Sequence, residues 1–413
     1  MNAEIICIGT ELLLGQTVDI NSAYLARELA DLGINLFHKS TVGDNLGRIV
    51  PLLRQAWNRS DLVILSGGLG PTQDDLTREA VAELLGEPLE FREEAWEEIV
   101  TYFKKIGRPL PESNRRQAMF PASARVLPNR LGTAPGLLVE SAGKYLFAFP
   151  GVPRELIGLW EEQARPFLKR ILTETGHPVL TSKMVRMIGI GESAMEERVM
   201  DLIRHQTNPT IAPYVGKGDV LLRITARGDS EADNLRRIDA LYQQIRERLG
   251  EYIYGTDEET LEEVVGRQLL ARGWTLATAE SCTGGLIGHR LTLVPGSSSY
   301  YLGGVISYSN QLKTQLLQVP EAILREHGAV SEATAKAMAE GVRRLTGADV
   351  GIGVTGIAGP GGGTETKPVG LVYYSVALPE RTVVEHRVFP YNREGNKEAA
   401  ARAVLGLLWK TLR

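Results

Sequence analysis

The stretch "TAESCTGGLIG" (Thr278–Gly288) sets a serine, a cysteine and a threonine side by side ahead of two glycines. "WTLATAES" before it reads as a strand and "GGLIGHRLTLV" after it as a helix. Ser281 therefore falls at a strand-to-helix junction, where a helix start offers free N–H groups and a partial positive charge. Either Ser281 or Thr283 caps that helix, or Ser281 is a nucleophile that needs a base from elsewhere in the fold. "ISYSNQLKTQLLQV" holds a candidate base: Tyr308 and Lys313 lie five residues apart at another strand-to-helix junction. A desolvated lysine can accept a proton from serine near neutrality, and a tyrosine can relay a proton or hold the lysine. A surface lysine and a core tyrosine are the plainer alternative. Backbone N–H groups around Thr283, Gly284 and Gly285 would then face an oxyanion. Cys282 is a rival nucleophile, but its nearest base, His289, stands seven residues on, about 10 Å along a continuous helix.

Two glycine-rich stretches suit phosphate. "VTGIAGPGGG" carries Gly356, Gly359, Gly361, Gly362 and Gly363, a density that lets the backbone close on a phosphate or a sugar. It lacks the GKS or GKT of a Walker A loop, and a plain surface loop is the alternative. Near the N-terminus, "SGGLGPTQDDLTREA" places Gly67, Gly68 and Gly70 before a helix whose start faces the loop, an arrangement suited to a pyrophosphate. Asp74 and Asp75 have the hard oxygens of magnesium-type ligands, with Glu11 able to join them, while one aspartate of the pair serves to cap the helix.

These residues need elements to position them. Strands alternate with helices in the first and last segments, which implies mostly parallel or mixed sheets. "AEIICIG" and "LVILSGGLG" read as buried strands, Asn21 as the N-cap of a helix with Leu25, Leu29 and Leu32 on one face, and "KYLFAFPGVP" as a strand broken at Pro150. The middle stretch alternates half-exposed strands with helices rich in Arg and Glu. In the last segment Thr256 and Glu259 have capping-box spacing, and "GLVYYSVAL" and "VVEHRVFPY" read as antiparallel partners. The fold class is α/β, with two three-layer α/β domains (1–173 and 253–413) joined by a small α+β domain (174–252). The 413 residues suit two to three domains. A net charge of −4, from 46 basic and 50 acidic residues, argues against a general nucleic-acid or membrane surface. Two distant cysteines and six scattered histidines make neither a disulfide framework nor a structural zinc site. No apolar run is long enough to span a bilayer and no basic leader opens the chain, so the expected location is cytoplasmic.

"AESCTGG", "GGVISYSNQLK", "HGAVSEATA" and "VTGIAGPGGGTETKPVG", in that order, resemble the C-terminal nicotinamide-nucleotide amidase domain of the competence/damage-inducible CinA family. The resemblance implies hydrolysis of nicotinamide mononucleotide to nicotinate mononucleotide and ammonia, with no cofactor. It implies Ser281 as nucleophile, Lys313 and Tyr308 assisting, and substrate contacts at Thr283, Gly284, Gly285, Thr355, Gly356, Gly361, Gly362 and Arg393. Lys397 stands where the family often has a second arginine, and a lysine cannot give a bidentate phosphate contact. "GTELLLGQTVDINSAYL" and the Gly67–Ala80 stretch resemble the molybdopterin-binding-like N-terminal domain of the same family. That implies ADP-ribose pyrophosphatase activity with a divalent metal such as Mg²⁺ at Asp74, Asp75 and Glu11, and K⁺ as a further cation. Substrate contacts would lie at Gly9, Glu11, Asn21, Gly67, Gly68, Gly70 and Thr72. The middle segment resembles the family's KH-like domain, but "GIGES" gives GxG rather than a GXXG clamp, so it reads as a structural or dimer element of a homodimer. A DNA-uptake or recombination accessory protein, with a non-catalytic nucleotide- or pterin-binding N-terminal domain, is the alternative; the acidic balance and the missing basic run count against stable nucleic-acid binding.

Overall fold

The computed structural model describes residues 1–216 and 218–413. The chain forms two compact units, Met1–Ser182 with Thr225–Arg237, and Lys183–Ile224 with Ile238–Arg413, so the middle segment contributes residues to both.

The N-terminal unit is built on a six-stranded sheet in the order Asn35–Val42, Asn2–Ile8, Leu62–Ser66, Lys144–Phe149, Gly136–Ser141, Arg125–Leu127. The first four strands are parallel and the last two antiparallel. Side chains alternate across the sheet. Ile6, Ile8, Val63 and Leu65 pack under helices Leu46–Arg59 and Thr77–Leu85, and Ala3, Ile5, Cys7, Leu62 and Ile64 pack against Leu25, Leu29, Leu156 and Trp160 on the other face. That alternation makes three layers. Strand order reverses between Asn2–Ile8 and Leu62–Ser66, so Gly9 and Gly67 leave the sheet at its switch point, where open α/β sheets bind ligands. Asn21 is not the N-cap expected of it. Asp19 caps helix Ile20–Asp31 by accepting from Ser22 N at 2.9 Å, two residues before the expected position.

The middle segment forms a four-stranded sheet, Thr210–Val215, Val220–Gly228, Val179–Met187, Ile253–Thr256, with helices Glu192–Arg204 and Glu231–Leu249. This is the small α+β domain expected.

The C-terminal domain carries a five-stranded sheet in the order Tyr301–Ile306, Leu276–Glu280, Val350–Gly356, Leu371–Ala377, Thr382–Val388. Its first three strands are parallel, and the last two form the antiparallel pair expected. Leu276, Ile352, Val372 and Val376 face helices Leu261–Arg272 and Arg393–Thr411, and Ala277 and Ala279 face Met338 and Val342 of helix Glu332–Thr346. The chain steps from the Leu276–Glu280 strand to one side and then to the other, so this sheet too has a switch point, and Ser281 and Gly356 emerge there. No helix among the described residues is long and apolar enough to cross a membrane.

The capping box lies four residues beyond its expected place. Thr256 and Glu259 close a turn, Thr256 N to Glu259 Oε2 at 2.9 Å, but the helix is capped by Thr260 with Glu263, both reciprocal bonds being formed. Two consecutive T-x-x-E patterns compete here, and the one beside the apolar Leu261 starts the helix. Thr260→Ala is expected to lower the unfolding free energy of this domain by about 1 kcal/mol, and Thr256→Ala by less, as read by urea titration.

Candidate active site

Ser281 follows strand Leu276–Glu280 directly, and its N–H donates to Val354 O at 3.0 Å, pinning the turn to the neighbouring strand. Lys313 comes from helix Asn310–Gln315, which Ser309 caps through Leu312 N at 3.2 Å. The lysine is 1% exposed, and its Nζ lies 3.0 Å from Ser281 Oγ, 2.7 Å from Ser307 O and 3.5 Å from Tyr308 O. Residues 32 apart in sequence are thus in hydrogen-bond contact. Burial pushes the Lys313 ammonium below the ordinary lysine range, and no carboxylate pairs with it among the described residues. Desolvation, not the helix start, is what lowers it. Burial also pushes the Cys282 thiol up to about 12, which disfavours the thiolate that a cysteine nucleophile needs.

Tyr308 does not hold the lysine with its side chain. Its ring is 59% exposed, and its hydroxyl accepts from Arg393 Nη2 at 2.9 Å, while Arg393 Nη1 donates to Gly359 O at 2.5 Å. Tyr308 therefore fixes the arginine that heads helix Arg393–Thr411 against the glycine loop. One helical turn on, Lys397 Nζ sits over Gly284, 3.7 Å from where a Cβ would stand there. Both basic residues thus border the nucleophile's surroundings. Thr355 is 1% exposed and donates to Ala329 O at 2.7 Å, so it fastens the strand end instead of offering a hydroxyl. Gly356 packs against Leu371 O and Val372, whereas a Cβ at Gly361 would meet nothing within 4 Å. Gly361 and Gly362 are therefore the open part of this loop.

The expected oxyanion donors are partly consumed. Gly284 N donates to Ser281 O at 3.1 Å and Gly285 N to Glu280 Oε2 at 2.9 Å. The N–H groups of Cys282 and Thr283 donate to no oxygen among the described residues; both face the Cys282 sulfur, a weak acceptor. The Thr283 hydroxyl is buried and unpartnered, as is that of Ser307. Glu280, Ser307 and Asn396 were not marked by the sequence. Asn396 is fully buried, donates to Ala358 O at 3.1 Å and accepts from Tyr391 N at 3.0 Å, locking the glycine loop to the helix.

In the N-terminal unit Gly67 has φ +106°, and a Cβ there would lie 2.1 Å from Ile8 O, so only glycine fits. Asp75 accepts from Gly70 N at 2.8 Å and Thr72 N at 2.9 Å, which makes it the tie that shapes the glycine loop. Asp74 is exposed, and the Thr72 hydroxyl holds its carboxyl below the usual carboxylate range. Arg78 is 1% exposed beneath the loop and donates to Leu69 O at 2.8 Å and Gly70 O at 2.7 Å. Asn21 donates to Ser66 Oγ at 3.0 Å and Gly151 O at 2.8 Å, so it braces the sheet edge. Glu11 is exposed, with its carboxyl lying over Gly9. No cluster of three or more His, Cys, Asp or Glu that could cage a metal forms among the described residues. Asp74 and Glu11 are both exposed carboxylates, the donor type that a hard cation takes one or two of alongside phosphate oxygens. Asn129 and Glu155, joined at 2.6 Å on the same sheet edge, are a further pair the sequence did not mark; burial raises the Glu155 carboxyl.

A buried serine–lysine pair at the carboxyl edge of an open sheet, and a glycine loop at the matching edge of a second, define a chain of two α/β ligand-site domains with a KH domain between. Family models match at each place: the CinA C-terminal domain over residues 258–412, the probable molybdopterin binding domain over 4–170, and the damage-inducible protein CinA KH domain over 182–255. A CinA-like protein of Dictyoglomus turgidum is 50% identical over 92% of this chain and 91% of its own, and one of Dictyoglomus thermophilum is 48% identical over 92% and 91%. The crystal structure of the protein CinA from Thermoplasma acidophilum aligns with 40% of this chain and 96% of its own at 37% identity and a TM-score of 0.37. The chain belongs to the CinA family.

The depressed Lys313 sets a pH dependence. The neutral amine is the form that accepts the serine proton, so reaction at Ser281 is expected to be slow while Lys313 is protonated, to rise as pH rises through its lowered pKa, and then to level off. The rate of Ser281 acylation against pH checks this. A midpoint in the range of an exposed lysine would contradict it.

Proposed function

We propose that the C-terminal domain hydrolyses the carboxamide of nicotinamide mononucleotide. The observation that carries this reading is the 3.0 Å contact between Lys313 Nζ and Ser281 Oγ, with the lysine buried and its ammonium disfavoured. Ser281 Oγ attacks the carboxamide carbon and its proton passes to Lys313. The tetrahedral oxyanion forms within reach of the Cys282 and Thr283 N–H groups. It collapses as Lys313 returns the proton to the departing ammonia, and water then hydrolyses the ester to nicotinate mononucleotide. The phosphate is received at Arg393, Lys397 and the open glycines Gly361 and Gly362. Tyr308 orients Arg393 and does not move a proton. Ser281→Ala is expected to lower ammonia release by at least about 10³-fold while leaving the N-terminal activity intact. Full activity in Ser281→Ala, with loss in Cys282→Ala, would transfer the nucleophile to the thiol.

For the N-terminal unit, the reading is hydrolysis of the ADP-ribose pyrophosphate. The glycine loop shaped by Asp75 and backed by Arg78 receives the diphosphate, and Asp74 and Glu11 would hold the divalent cation. When bound, that cation neutralises charge on the phosphate oxygens. The chain's own contribution is the fixed backbone and the carboxylates that orient the diphosphate. Chelation with EDTA is expected to abolish ADP-ribose cleavage and spare ammonia release; parallel loss of both would show that the division is wrong.

A further inference from the structure

Glu280 immediately precedes the nucleophile and is 2% exposed. Its carboxylate accepts three backbone N–H groups from the start of the following helix: Gly285 at 2.9 Å and Ile287 at 3.1 Å on one oxygen, Gly288 at 2.9 Å on the other. No cation pairs with it among the described residues. A buried carboxylate is tolerable only when such donors satisfy it. Its main-chain oxygen accepts from Ser307 N at 2.8 Å, and the carbonyl of Ser307 is the closest acceptor of Lys313 Nζ. One residue is therefore bonded, through side chain and backbone, to both segments that present the reacting pair.

The arrangement also reassigns the helix start. The helix Leu286–Thr292 would present free N–H groups and a positive end to whatever lies before it. Glu280 fills that place from inside the protein. The amides left beside Ser281 are those of Cys282 and Thr283, and a substrate anion is directed away, to Arg393 and Lys397.

We propose that Glu280 is a positioning residue: its carboxylate stands in as the anion of the helix start, holds the Ser281 turn in its reactive geometry, and leaves the Cys282 and Thr283 amides as the oxyanion donors. The inference rests on Ser281 being the nucleophile, as in the proposed function, but not on the identity of the amide substrate.

The test is phosphonylation of Ser281 in the full chain by a serine-directed fluorophosphonate. The serine oxygen bonds phosphorus, fluoride leaves, the hydroxyl proton goes to Lys313, and the phosphoryl oxygen takes the oxyanion's place. Glu280→Ala is expected to slow labelling about 100-fold, the cost of roughly 1 Å of misplacement. Millimolar formate should restore much of the rate by refilling the vacated amides, whereas chloride should not. On nicotinamide mononucleotide the same variant should lose kcat with KM nearly unchanged, because the loss lies in the transition state. Labelling at the wild-type rate overturns the proposal. So does slow labelling that formate leaves unchanged, since the side chain would then only fill space. Should Glu280→Ala fail to fold, Glu280→Gln keeps the volume but sets an NH₂ against one of the three amides. It is expected to label at least about 10-fold slower, and a wild-type rate for it overturns the proposal equally. A wild-type chain that labels at Ser281 yet releases no ammonia would defeat the substrate assignment alone. A wild-type chain that does not label there would defeat the nucleophile and, with it, any positioning role for Glu280.

Discussion

The C-terminal domain is organised around one buried amine. Among the described residues Lys313 Nζ has three oxygen neighbours and no anionic partner, in a place where water hardly reaches. Its neighbours are two main-chain carbonyls and the serine hydroxyl, so the amine is held in direction without being held in charge. A carboxylate in the same position would fix it as an ammonium. Ser281 ends one strand, Ser307 follows its parallel neighbour, and the helix beyond brings Lys313 Nζ to 3.0 Å and 2.7 Å from their oxygens.

The same economy recurs in the N-terminal unit with opposite signs. There a carboxylate, Asp75, collects loop amides and a guanidinium, Arg78, collects loop carbonyls. The glycine loop is shaped from both sides by side chains that belong to the protein, before any ligand arrives. Glu280 does for the helix start in one domain what Asp75 does for the loop in the other.

Much of this was legible in the sequence because strand-to-helix junctions leave local marks. The apolar runs before Ser281 and Gly67, and the helical stripes after them, are patterns a short window can hold. The partnership of Ser281 with Lys313 was legible as two residue types at two junctions, but not as a contact, which required the strand order. The place of the Tyr308 side chain was not legible, because nearness in number is not nearness of side chain: five residues before Lys313, its ring turns outward to Arg393. Glu280 and Arg78 left no mark. Glutamate beside a serine, and arginine in "LTREA", look like solvated charges, and only the converging backbone N–H and carbonyl groups show that each is buried. The capping residue shifted in both domains where polar candidates crowd together, at Asp19 and Asn21 and at Thr256 and Thr260, and the packing of the apolar face chose between them.

Arg78 has a consequence for how the N-terminal loop meets its ligand. Burial lowers its guanidinium to about 10, still well above physiological pH, so it carries its charge permanently under the loop. Counterions cannot surround a charge enclosed by protein as they surround one on the surface, where the screening length is about 8 Å at physiological ionic strength. The field that Leu69 and Gly70 pass outward is therefore built into the scaffold and weakly dependent on salt. Anion capture at this loop should hold its strength across ionic conditions that would silence a patch of surface lysines. A lysine in place of Arg78 could not reproduce it, since a single ammonium lacks the planar fork that spans two successive carbonyls.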